Sequence, residues 1–200
     1  MASSSSSNNT ATQNTLKKAH ESVSEEISRW LREVVIGLNL CPFASYPHTQ
    51  NLIHVAVSDA TSDTEILEAL QTEIMRLEDE GSANIETSLL VLTDTLKDFE
   101  DYNQFLSLVD ALLDANNWVG NYQVASFHPN YQFGGTHPDD TENLTNRAPY
   151  PILHIIREAS LEKALADYPD AESIFTRNIT TVSNLNEAQL HALFPYIYRQ

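Results

Sequence analysis

The stretch NLIHVAVSDATSDTEILEALQTEIMRLEDEGSANIETSLLVLT, Asn51 to Thr93, decides the fold class. Asn51 to Ser58 is a short apolar run and reads as a strand. From Asp63 to Glu80 the residues Ile66, Leu67, Leu70, Ile74 and Leu77 recur at helical spacing. They leave Glu65, Glu68, Glu73, Glu78, Asp79 and Glu80 for a solvated face. Thr87 to Thr93 reads as a second strand, bounded by Asp94 as a turn or cap.

The same alternation continues outward. Phe99 to Asn116 predicts a second crossover helix, with Phe105, Leu108, Val109 and Leu112 on one face. Tyr122 to Phe127 and Ile152 to Ile156 read as the third and fourth strands. Helices are expected from Ser160 to about Tyr168 and from Asn186 to about Tyr196. On the N-terminal side, Val23, Ile27, Trp30, Leu31, Val34, Val35 and Leu38 predict an amphipathic helix over Thr15 to Leu40. It should end near Gly37-Leu38-Asn39, because Pro42 cannot continue it. The expectation is a single α/β domain over residues 15–200, with a mixed, mostly parallel sheet of about four strands flanked by helices. The long segment after the third strand leaves room for the fourth to return antiparallel. Residues 1–14, rich in Ser, Asn and Thr, are expected to be a disordered tail.

Eleven basic residues against 28 acidic ones give a formal charge of −17. Eighteen of the acids lie between Leu40 and Asn146, where only Arg76 and Lys97 are basic. Such a surface repels phosphate backbones and anionic lipid, so neither nucleic acid nor a membrane is an expected partner. No apolar run has the ~18 residues of a membrane span. The one cysteine, Cys41, excludes an intrachain disulfide. With no basic or apolar leader, the chain is expected to be cytoplasmic.

Ser126 to Arg157 holds most of the chemistry: His128, His137 and His154, Asp139-Asp140, Arg147 and Arg157, Gly134-Gly135 and four prolines. A loop of this length is usually functional or disordered, and its aromatics argue for order. His128 is the candidate general acid/base, oriented by Asp139 or Asp140. His128, His137 and Asp139 could hold a divalent metal, although their spacing matches no defined metal motif. The cofactor is otherwise unknown. Arg147 and Arg157 could bind an anionic small-molecule ligand, or Arg147 could pair with Asp139, Asp140 or Glu142. Tyr131, Phe133 and Tyr150 could line a pocket or anchor the loop. His154, facing the same side as Ile152 and Ile156, is a ligand contact or a core histidine; if His54 shares that face, a titratable pair forms. Cys41 is a nucleophile or a buried bystander, and its place after a helix C-terminus raises a thiol pKa. Neither GxxxxGK[ST] nor GxGxxG occurs, which leaves nucleotide binding unsupported. Asn143 stands out only as part of an Asn-x-Thr triplet.

VIGLNLCPFA (Val35 to Ala44), SFHPNYQF (Ser126 to Phe133) and DDTENLTNRAPYPILHIIRE (Asp139 to Glu158) closely resemble a family of short bacterial and plant proteins, the domain of unknown function number fourteen-fifteen. The resemblance runs from about Leu16 to Tyr198. It implies a soluble, stand-alone domain in which the Cys-Pro-Phe turn and the polar loop belong together, and it implies nothing about mechanism. The leading expectation is a small-molecule hydrolase or group-transfer enzyme with its site in the 128–157 loop. The alternatives are a non-catalytic module that binds a ligand or protein, and a metal-binding protein.

Overall fold

A computed structural model describes residues 5–166, 168, 170 and 173–198. Helix α1 (Ser5–Trp30) turns Val23, Ile27 and Trp30 inward, at the spacing the sequence predicts. Of the tail expected at 1–14, positions 1–4 lie outside the described residues, and Ser5 onward belongs to α1. Over Leu31–Ile36 the helix widens into a π turn. Gly37 N–H donates to Arg32 O at 3.0 Å and Leu40 N–H to Val35 O at 2.9 Å, each five residues back. The turn brings Glu33 O against the point where a Cβ of residue 37 would stand, so the close approach requires Gly37. A short helix α2 (Ser45–Thr49) leads to the sheet.

Strand β1 (Ile53–Ser58), helix α3 (Asp63–Glu80), strand β2 (Thr87–Leu92), helix α4 (Phe99–Ala115), strand β3 (Tyr122–Phe127) and strand β4 (Ile152–Arg157) follow the sequence reading closely. Ser62 and Glu65 form a capping box that starts α3, and Asp98 caps α4 through the amides of Glu100 and Asp101. The strand order is β1-β2-β4-β3. β1 and β2 pair in parallel, while β4 pairs antiparallel with both β2 and β3. The first three strands therefore run the same way, as helical crossovers require.

The sheet is mixed and mostly antiparallel, which corrects the expectation of a mostly parallel one. Its cause is the segment after β3. It contains no crossover helix to return the chain to the far end of the sheet. The chain stays at the carboxyl end of β3 and enters β4 from there, inserting it between β2 and β3.

Helices α3 and α4 cover one face, where Ile66, Leu70, Ile74 and Tyr102 pack on Leu90, Leu92, Leu153 and Ile155. Helix α5 (Glu158–Ala166) follows β4 directly. Helices α6 (Ile174–Ser183) and α7 (Glu187–Leu193) join α1 over the opposite face. There Ile27, Trp30, Val182 and Phe194 meet Leu89, Val91 and Ile152. The outcome is three layers, helix–sheet–helix. Among the described residues no helix is long and apolar enough to cross a membrane.

Candidate functional site

His128 is fully buried just beyond β3, with its ring against Phe99 and Tyr102 at centroid distances of 5.4 and 5.2 Å. Asn130 N–H donates to its Nδ1 at 3.0 Å. Since Nδ1 accepts, Nε2 carries the proton and donates to Leu96 O at 3.0 Å. The carbonyl that receives it belongs to a residue held at φ 50°, a conformation leucine rarely adopts. Burial lowers the His128 pKa, while the bond to Leu96 O opposes the shift. Both nitrogens are committed in a neutral tautomer. The expected orientation by Asp139 or Asp140 is replaced by these two backbone partners.

The loop beyond is organised by a residue the sequence did not single out. Asn143 is fully buried. Its Oδ1 accepts from Phe133 N–H and from the Thr136 hydroxyl, both at 2.9 Å, and its Nδ2 donates to His137 O at 2.8 Å. Arg147 completes the frame, with Nε donating to Tyr131 O at 3.3 Å and Nη2 to Pro138 O at 2.6 Å. Its own carbonyl accepts from Trp30 Nε1 and from Tyr196 OH. Arg147 thus binds backbone carbonyls rather than the expected carboxylates. Tyr131 lies between Phe99 and Phe133 at 5.1 and 5.0 Å, anchoring the loop instead of facing an open pocket.

This loop also covers the carboxyl end of one margin of the sheet, at Ser126 and His128. Glu158 N–H bonds Asn121 O, so odd-numbered residues of β3 pair with β4 and even-numbered ones turn outward. On that outer side, His128 N–H donates to Asn146 O, Ala148 N–H donates to His128 O, and Asn146 Nδ2 donates to Ser126 O.

At the tip, the His137 and Asp139 side chains are 72% and 93% exposed and 3.5 Å apart. Asp140 accepts from His137 N–H at 2.7 Å and so shapes the turn. The set His128, His137 and Asp139 does not converge. Among the described residues no group of three His, Cys, Asp or Glu side chains is placed to hold a metal.

The remaining candidates are dispersed. Arg157 donates to Tyr122 OH at 3.1 Å, to Ile85 O at 3.3 Å and to Leu77 O at the end of α3, where the helix dipole favours a cation. His154 lies on the α1 face; Thr87 hydroxyl donates to Ile155 O at 2.5 Å, so His154 Nε2 is the donor to Thr87 Oγ1 at 2.7 Å. Loss of hydration pushes its pKa down to about 4. His54 points to the α3 face, so the conditional pair with His154 does not form. Cys41 packs on the core cluster that also holds Leu144 and Ala148, and burial raises its thiol pKa. The Cys-Pro-Phe turn and the polar loop thus share a core cluster but no bond that activates the thiol.

Glu73 overturns the reading of α3 as a uniformly solvated acidic face. It is buried, accepting from Ser88 Oγ at 2.7 Å and Arg76 Nε at 3.1 Å, with His54 Nε2 at 3.5 Å. The hydroxyl and the guanidinium make this a carboxylate held between sheet and helix. The Ser88 proton goes to Glu73 and not to His54, so His54 is not placed as a base for Ser88.

A family model described as "Protein of unknown function (DUF1415)" matches residues 22–192, and the chain belongs to that family. No curated protein and no solved structure matches it.

Proposed function

With that membership as the premise, we propose that the protein is a non-catalytic module that binds a protein partner. In this reading the 128–157 loop is a scaffold and not an active site. One observation carries it: both His128 nitrogens are spent on backbone groups within the loop frame. A general acid/base needs a nitrogen free to exchange a proton with substrate, in a ring that titrates near the working pH. The arginines expected to hold an anion direct their bonds to carbonyls and to Tyr122 OH. A frame of satisfied polar groups gives rigidity, which suits presentation of a surface.

The test is imidazole NMR of His128 between pH 5 and 8. The expected result is a neutral Nε2–H tautomer at pH 7 that titrates below the usual histidine range, with slow exchange at that proton. A ring that titrates near pH 7 and exchanges freely would return His128 to the role of acid/base and overturn the module.

A further inference from the structure

The sheet has a second margin, at β1, and the described residues leave it open. β1 is terminal in the order β1-β2-β4-β3. Thr87 N–H bonds Leu52 O and Thr93 N–H bonds Ser58 O, which places the even-numbered residues of β1 against β2. In a parallel pair the intervening residues direct N–H and C=O to the other side. Ile53, Val55 and Val57 therefore present their donors and acceptors along the outer edge. Natural edges are shielded by lysine, proline, a bulge or a covering segment. The strand IHVAVS has none of the first two, and each of its residues is half-buried. Beside it, on the α1 face, lies an open cleft of about 160 Å³ lined by Ser28, Leu31, His48, Asn51, Ile53 and Val55. The side chains of Ile53 and Val55 enter the cleft while their backbone groups face outward.

We infer that the β1 edge takes up an extended segment of a partner protein as a fifth strand, a segment with small apolar side chains alternating with basic ones. Pairing supplies the backbone bonds, and alternate apolar side chains enter the cleft. The charge selects the occupant. A second copy of this chain would bring another −17 to the interface. Asp59, Asp63, Glu65 and Glu68 follow β1 within ten residues of the chain, and His20 is bonded to Asp59. A basic segment is attracted by the overall field. This inference rests on the module reading only in requiring a macromolecular partner; the polar loop takes no part in it.

The probe is an eight-residue peptide alternating lysine and valine, acetylated and amidated, titrated into the full chain by amide NMR. Shifts should concentrate at Ile53, Val55, Val57 and the cleft. Two controls report on the edge. Methylating alternate peptide amides removes its donors without touching the protein, and Val55→Pro removes one outward N–H while sparing the β1–β2 ladder. Each should weaken binding at least tenfold, and a glutamate-valine peptide should bind at least tenfold more weakly. Absence of binding overturns the inference, as does binding indifferent to amide methylation, which would be charge attraction elsewhere. Concentration-dependent dimers of the chain that Val55→Pro abolishes would make the occupant a second copy and equally overturn it. A failed peptide with His128 still locked leaves the module reading standing; a titrating His128 with a bound peptide does the reverse.

Discussion

The two margins of the sheet differ in what covers them. Beyond β3, the chain folds back over its own edge and spends His128, Asn143, Asn146 and Arg147 on fixing backbone groups. Among the described residues nothing comparable stands beyond β1, and a short strand without lysine or arginine borders a cleft. Both edges expose similar backbone chemistry, so the contrast lies in the polar side chains. Residue types that suggest catalysis are here used to hold the backbone of a loop that covers one end of an edge. The difference teaches that a dense group of titratable residues locates structural organisation before it locates reactivity.

The largest effect should come from breaking the closed side. His128→Ala removes the partners of Leu96 O and Asn130 N–H and leaves a void against Phe99 and Tyr102. A loss of about 4 kcal/mol is expected from urea denaturation. Asn143→Ala should cost about 2 kcal/mol by orphaning Phe133 N–H, while His137 O keeps Asp140 N–H and the Thr136 hydroxyl keeps Phe133 O. In that variant the amides of the 133–138 loop should exchange faster while those of β1 stay unchanged. Uniform acceleration on both sides would show that the loop is no separate lock.

Acid should act within the sheet, at His154 of the interior strand β4. The His154 pKa lies near 4, below the usual 6.5 of histidine. On acidification the unfolded chain therefore takes up the proton first. The stabilisation is complete above about pH 6.5 and fades as the pH falls toward 4. Allowing for the partly exposed edge of the ring, about 2 kcal/mol is at stake. The His128 shift has the same sign. Urea midpoints at pH 7.5 and 4.5 measure the loss, and His154→Gln should flatten part of it. An unchanged slope in that variant would assign the acid sensitivity to the carboxylates.

Much of this architecture is legible from local patterns, and the rest fails for identifiable reasons. Helix α3 spans Asp63–Glu80 as read, since its apolar stripe and its capping box agree. The insertion of β4 is not legible, because which edge a strand joins is a long-range choice that its own residues do not encode. Helix α6 escapes because ITTVS, rich in β-branched residues, weakens a helical reading that only packing restores. At the loop, the sequence points to the right residues with the wrong partners. His128, Tyr131 and Arg147 are central, yet they contact Leu96 O, Phe99 and Pro138 O, and a backbone carbonyl has no signature in a sequence. Asn143 looks like any polar loop residue. Glu73 did carry a signal: it lies between Leu70 and Leu77 within the apolar stripe of α3, where a carboxylate needs a partner.

A milder change sharpens the account of the frame. Arg147→Lys keeps the charge but cannot span Tyr131 O and Pro138 O with a single ammonium. About 1 kcal/mol should be lost, with little dependence on salt, because the acceptors are neutral carbonyls. Strong salt dependence of that loss would instead implicate the carboxylates at the loop tip.

The smallest effect belongs to the open side, and its smallness is the point. Val55→Pro deletes an N–H that no strand of the sheet receives, and proline is tolerated where a strand faces outward. Stability should change by less than about 1 kcal/mol, since neither the β1–β2 ladder nor the buried core loses a bond. Ala56→Pro, one residue on, is the matched control: its N–H belongs to the ladder side, so about 3 kcal/mol or more should be lost. The two substitutions share a strand and a ring; they differ in which way the amide points and in the face the side chain packs on, Val55 toward α1 and Ala56 toward α3. Equal costs would mean that the outer edge of β1 is already paired in solution, and the contrast between the two margins would disappear.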